Sequence, residues 1–526
     1  MYNFYGRIFG KYRNYLKLSI IIAFYTAAMT YFSYERYLFF HAQTFDLGIK
    51  IQTIYTALNG YPIDNPNYVL SMGIFSRNYF AIHFSPIIYP ISVFAHIFPT
   101  AIFLFFIQWG SIGLSSIFIY LISTEYGISH KNSLIISSLF LLYPPLLMSG
   151  MYDMHLLSFF PLATMWLYYS LSHKKYGSAA LAFIFGFSIQ ESFLLLVPFV
   201  SAQILYNNHG FFGAFRFKKW GFIDIYSSTL AISSILLFIL ELKLMQTVEP
   251  LRSSLITSTN GYGVSILYLS DYVYSKLFYW FFCLGVLLFI PLIGYRKSIM
   301  IFPALILGFL SIHPGFTQLK FQYSLIFDGP IFLAFIEGLS TLKNVKRTTK
   351  YTKYQLILNM KRALRKYQTT LAKLSKDKLL LIIAIVVVIL SPLSPLSLAE
   401  PYSRPIHVFS YVPNSKDFIS EINKIPHNDT ILASCLVFPY VATDPNAYPL
   451  LDKIVNGTCT YVYNFSRLFF PKFVLIIPSD YHIIKDIIPN FSSKYALLNT
   501  FNISVVNLLP LPNNPQNVSV LVYSIR

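Results

Sequence analysis

Ten apolar segments recur along the first 397 residues, and they constrain this chain more than any other feature. They cover 16–33, 100–123, 132–150, 156–172, 177–206, 221–240, 274–294, 298–312, 320–341 and 379–397. A helix needs about 20 apolar residues to cross the hydrocarbon core of a bilayer. An eleventh segment, 81–98, is apolar but broken by Pro86, Pro90 and Pro99. Segment 177–206 is long for one span and carries Gln190-Glu191-Ser192 and Pro198, so it reads as a helix and a shorter one. The expected fold is an α-helical polytopic membrane protein with about 11–12 transmembrane helices. Composition agrees. Hydrophobic residues make up 55% and charged residues 12%, against about 25% charged in a soluble domain. That balance excludes an ordinary soluble enzyme, a disordered chain and a disulfide scaffold. The bilayer is the expected partner, and nucleic acid is not.

The charge gives an orientation. There are 40 Lys+Arg against 21 Asp+Glu, a formal net charge of +19. Basic residues stay on the cytoplasmic side of spans. Arg7, Lys11, Arg13 and Lys17 precede the first span and place the N-terminus inside, in a segment that reads as an uncleaved anchor. The loop 343–378 holds 12 Lys and Arg and one acid, Asp377. It reads as a cytoplasmic basic loop, and 379–397 as the last span. An inside N-terminus and an outside C-terminus require an odd number of spans, so the exact count decides the face of Asp153 and His155.

Residues 398–526 differ from the rest. They hold nine basic and eight acidic residues and no apolar run of spanning length. Short β-rich runs such as 472–477 and 518–525 alternate with helical patterns such as 415–425, so a small α/β domain is expected. Every N-x-[ST] sequon lies here, at Asn428, Asn456, Asn464, Asn490, Asn502 and Asn517. Such sequons belong to exported surface, which places this domain outside the plasma membrane. Cys435 and Cys459 share it; a disulfide and two unpaired thiols both fit.

Ionisable residues in or beside apolar segments are costly and mark functional sites. The outer loop 34–80 carries Asp46-Leu47-Gly48, Asp64 and Arg77, with His83 entering the next segment. Segment 45–58 reads as an amphipathic helix lying on the membrane. Asp46 is either a reactive acid or a first-turn acid behind Thr44. Asp153 and His155 are two apart and suit shared metal binding or proton relay; the alternative is an interfacial cap. Glu191 is a carboxylate in an apolar run. Lys320, Gln322, Tyr323 and Asp328 form the polar entry to a late span. No phosphate loop, HExxH or nucleophile elbow is present.

These residues, in this order, carry a resemblance. Asp46-Leu47-Gly48 follows the first span. Then come His83-Phe84-Ser85-Pro86, Gln108, Tyr143-Pro144, Asp153-x-His155, Gln190-Glu191 and Gln322-Tyr323. Last is Thr430-Ile431-Leu432-Ala433-Ser434 in the C-terminal domain. The chain resembles a family of predicted polytopic membrane proteins of unknown function, archaeal and bacterial. That family is similar to the GT-C membrane glycosyltransferases, which take a sugar from a polyprenyl-phosphate donor. The resemblance implies that Asp46 is the loop acid of the reaction. It also implies that Asp153 and Glu191 lie near the same outer cavity, which favours Asp153 and His155 on the outer face. The Trp-Trp-Asp-Tyr-Gly signature of oligosaccharyltransferases is absent.

Two functions follow. One is a GT-C-like transferase in which Asp46 is the general base. Arg77, Lys320 or a divalent cation would stabilise the leaving phosphate, and His83, Asp153, His155, Glu191, Gln322 and Tyr323 would line the cavity. The other is a non-enzymatic binder or transporter of lipid-linked or cell-envelope material.

Overall fold

The computed structural model describes residues 2–38, 40, 42, 44–58, 79–81, 83–98, 100–214, 216–248, 265–311, 314–319, 321–342 and 366–393 of the helical part. Of the C-terminal part it describes 410–411, 415–426, 429–450, 452–455, 458–461, 470–488, 490–503, 506–507 and 518–526. Arg77, Lys320, most of the basic loop, and Asn428, Asn456, Asn464 and Asn517 lie outside the described residues.

The helical part begins with α1 (Tyr2–Leu38), then α2 (Ile49–Thr56), α3 (Ile88–Ala95) and α4 (Thr100–Glu125). It continues with α5 (His130–Leu141), α6 (Pro144–Tyr152), α7 (Phe160–Ser172), α8 (Tyr176–Ile189) and α9 (Val197–Gly213). Then come α10 (Phe222–Val248), α11 (Val273–Gly285), α12 (Ile290–Ile293), α13 (Phe302–Leu310), α14 (Asp328–Thr341) and α15 (Lys376–Leu390).

Three helices among the described residues are long and apolar enough to cross a membrane: Tyr12–Leu38, Ala101–Glu125 and Phe222–Thr247. The pair α5 and α6, bent by 40°, makes up to four. Proline opens several of the shorter apolar helices. Pro stands at the first turn of α6, α7, α9, α12 and α13. Its fixed φ suits the first turn of a helix, and before Pro144 the residue Tyr143 is extended, which separates α5 from α6. Segment 81–98 contracts to α3, eight residues and about 12 Å long, too short to span. Segment 177–206 does divide, with Gln190 extended between α8 and the next turn.

Ile232, Leu236 and Ile239 on α10 are exposed, as are Leu381, Ile385 and Val388 on α15. Apolar faces of this kind mark a surface that meets another apolar medium.

The C-terminal part is a mixed sheet with small helices. Its helices are α16 (Ser415–Ile422), α17 (Phe438–Val441), α18 (Tyr481–Ile487) and α19 (Phe491–Lys494). Its strands are β1 (Ser410–Tyr411), β2 (Ile431–Ser434), β3 (Ala447–Leu450), β4 (Asp452–Val455), β5 (Thr458–Tyr461) and β6 (Phe473–Ile476). β7 (Tyr495–Ile503), β8 (Val506–Asn507) and β9 (Val518–Ile525) follow. The five-stranded sheet runs β3-β2-β6-β9-β7. β2 is parallel to β3 and β6, and β9 is antiparallel to β6 and β7. All four β2 residues are buried, as expected for a parallel strand covered on both faces. Asn490 and Asn502 are exposed. Cys459 lies on β5, and its side chain is outside the described residues.

The two parts share one hydrophobic core, which runs from Tyr25 and Trp109 through Phe332 to Phe418, Phe438 and Val522. The seam is α17 against the first loop. Tyr440 stacks on Tyr37 at 4.4 Å and donates its hydroxyl proton to the Tyr37 carbonyl. Gln52 Nε2 donates to the carbonyls of Asp444 at 3.2 Å and Ala447 at 3.0 Å.

Candidate functional site

The site starts at Asp46-Leu47-Gly48, which forms a wide helical turn, Thr44–Gly48, that runs into α2. Seven of the eight α2 residues are buried. This segment therefore does not lie on a membrane surface, as its amphipathic pattern suggested. It is held between α3 and the C-terminal part. Gly48 explains why. A Cβ there would stand 2.7 Å from Phe438 Cδ1, so only glycine lets α17 close over the turn.

Asp46 Oδ1 accepts a hydrogen bond from His155 Nε2. The two side chains are 14% and 12% exposed, enclosed enough for the pair to outweigh a surface ion pair. Burial pushes the Asp46 carboxyl up. His155, through charge and hydrogen bond, and then Lys50 and Tyr152 pull it down, and the balance lies below the usual carboxylate range. Asp46 is thus an ionised carboxylate at neutral pH. It stands in the first turn of Thr44–Gly48 and bonds a partner 109 residues away.

His155 is positioned by α4 and α6. Asp153 is extended and ends α6; His155 is extended too. The backbone N–H of His155 donates to Gln108 Oε1 at 2.8 Å, while Gln108 Nε2 donates to the Gly150 carbonyl at 2.7 Å. Gly150 permits this approach, because a Cβ would meet the Trp109 ring at 2.6 Å. Trp109 is fixed by its indole N–H on Ser33 Oγ at 2.8 Å. Asp153 serves a different partner and lies within electrostatic reach of Arg36 at the end of α1.

A second carboxylate–imidazole pair stands nearby. His83 Nδ1 meets Glu191 Oε1 at 2.9 Å, and the Phe84 backbone N–H donates to Glu191 Oε2 at 3.1 Å. The extended Gln190 breaks the helix and turns Glu191 toward this loop.

Lys50 joins the two pairs. Its ammonium donates to the Tyr79 hydroxyl at 2.7 Å and lies in the fields of both Asp46 and Glu191. Burial draws it down to about 8 against the pull of those carboxylates. Asp46, Lys50, Tyr79, His83, His155 and Glu191 thus form one polar cluster where the first loop, α4, α6 and the α8–α9 break meet.

Gln322 and Tyr323 open a short turn, Gln322–Ile326, packed on α6. Phe321 just before it meets Tyr152 edge-on at 5.3 Å. Asp328 lies deeper, fully buried, and accepts from Ser324 at 3.0 Å. Among the described residues, no three His, Cys, Asp or Glu side chains converge as a metal site. Asp153 lies in the field of Arg36, and His155 bonds Asp46.

Sequence reasoning missed Lys50 and Tyr79. Lys50 carried a readable signal, since it stands four residues after Asp46 and so on the same helical face. Tyr79 carried none.

No curated protein matches the chain. A family model described as a predicted membrane protein family, DUF2079, matches residues 36–461. The match takes in the whole polar cluster and continues through α17, β2 and β5 of the C-terminal part. The chain belongs to this family of predicted membrane proteins.

Proposed function

We propose that this chain is a polytopic membrane glycosyltransferase of GT-C type that takes a sugar from a polyprenyl phosphate. The observation that carries the reading is the ionised Asp46 carboxylate, enclosed on the first loop and oriented by His155. Being ionised, it can accept a proton from a hydroxyl held against it, the first requirement of a general base. An acceptor hydroxyl attacks the anomeric carbon and gives its proton to Asp46. The bond from that carbon to the phosphate oxygen breaks, and the polyprenyl phosphate leaves. Lys50 is the described cation nearest this chemistry and would balance charge on the leaving phosphate. His83 and Glu191 form the opposite wall of the cluster. The proposal includes the topology: N-terminus cytoplasmic, and the polar cluster and C-terminal part on the extracytoplasmic face. The positive-inside pattern and the sequon distribution support it.

The test is transfer of labelled sugar from polyprenyl phosphate by the purified full chain. Asp46→Asn removes the base and should lower transfer at least about 100-fold, with lipid binding retained. Unchanged transfer in that variant refutes the mechanism. No transfer by the wild type, together with lipid binding, favours the binder reading.

A further inference from the structure

One buried acid takes no part in the cluster as described. Glu241 lies near the end of α10, inside one of the three apolar helices of spanning length. It is 2% exposed, and neither carboxylate oxygen has a hydrogen-bond partner among the described residues. Burying a carboxylate without donors is costly. A leucine at the same position would carry no such cost.

Its placement gives the cost a purpose. α10 packs against the turns that carry Glu191 and Tyr79. Glu241 also lies within electrostatic range of Glu191. The unpartnered acid therefore borders the cluster at Glu191.

We propose that Glu241, with Glu191, forms a hydroxyl-binding subsite for the sugar of a lipid-linked donor. This rests on the transferase reading and names the ligand class of the same site. A carboxylate accepts hydrogen bonds through two oxygens, so one group can take two neighbouring hydroxyls. When protonated it also donates one hydrogen bond, which a sugar hydroxyl can accept. A metal ion fits less well, because no three donor side chains converge among the described residues. A second cation would also meet the Lys50 ammonium, which already occupies the field of Glu191. The Glu191 carboxylate repels another carboxylate, so the subsite favours a neutral hexose over a uronic acid.

The experiment uses the full chain in nanodiscs. The probes are sugar-free polyprenyl phosphate and polyprenyl phosphates bearing glucose, mannose, galactose or glucuronic acid. The wild type should bind at least one neutral-sugar lipid more tightly than the sugar-free lipid, and glucuronic acid least well among the sugars. Glu241→Gln should weaken the preferred sugar lipid by about tenfold or more and leave the sugar-free lipid unchanged. Glu241→Leu should lose the sugar preference while raising the melting temperature, because it removes a buried carboxyl group with no described hydrogen-bond partner.

Equal weakening of both lipids by Glu241→Gln, or weakening of neither, overturns the proposal. So does a lower melting temperature in Glu241→Leu, or Mn2+ binding by the wild type that Glu241→Gln abolishes. If Asp46→Asn abolishes transfer while Glu241→Gln leaves sugar binding intact, only this subsite falls. If the wild type ignores every sugar-bearing lipid, the subsite and the transferase reading fall together.

Discussion

Replacing Gly48 with alanine sets two effects of known sign against each other. Gly48 has φ −60° and ψ −47°, an ordinary helical conformation. By backbone entropy alone, Gly48→Ala stabilises by about 0.4–1 kcal/mol. The new methyl, however, stands 2.7 Å from Phe438 Cδ1 and 3.1 Å from Cε1. Phe438 is fully buried, so its ring cannot swing into solvent. Overpacking of this kind costs about 1–3 kcal/mol, and it outweighs the entropy gain. We expect a net destabilisation of about 1–2 kcal/mol, concentrated at the seam between the first loop and α17. Hydrogen exchange should report faster opening of 49–56 and 438–441, and unfolding in detergent should occur earlier. Phe438→Leu makes room for the methyl. The double variant should therefore be more stable than the sum of the single effects, by about 1 kcal/mol. A neutral or stabilising Gly48→Ala, or strict additivity in the double variant, refutes the reasoning.

Further predictions concern the cluster. Gln108→Leu leaves the His155 N–H and the Gly150 carbonyl without their bonds. It should cost about 2–4 kcal/mol in chemical unfolding. Asp46 is held below its unfolded value of 3.8. Its contribution is complete above that value and lost as pH falls through the folded one. Asp46→Asn should flatten stability against pH on that acid limb. Lys50 titrates near 8 against 10.5 when unfolded, so the unfolded chain holds the proton more tightly. Stability should rise with pH between those values, and Lys50→Met should remove that rise in denaturant titrations. Tyr440→Phe removes the bond to the Tyr37 carbonyl. It should cost about 1 kcal/mol, seen as faster hydrogen exchange in 438–450.

The helical class and the C-terminal sheet were legible because apolar runs and β-rich runs are local signals. Asp46, His83, His155 and Glu191 were legible singly, since each interrupts an apolar context. Their pairing was not. His155 and Asp46 are 109 residues apart, and His83 and Glu191 are 108 apart. No periodicity encodes such a meeting. The pattern of 45–58 misled for a related reason. Its polar face suggested water, but Lys50 and Gln52 turn to Tyr79 and to the carbonyls of Asp444 and Ala447. A polar face buried against polar partners reads in sequence like a polar face in water. Glu241 was hidden in the run Leu240-Glu241-Leu242-Lys243 at the end of an apolar segment, where an acid is easily taken for an interfacial one.

The proposed function requires the cluster around Asp46 to receive a lipid-linked sugar. A structure of the full chain with a bound polyprenyl-phosphate sugar tests this most directly. Phosphate density is expected within hydrogen-bond reach of Lys50, with the anomeric carbon beside Asp46. Phosphate density at a site remote from Lys50 and Asp46 would contradict it.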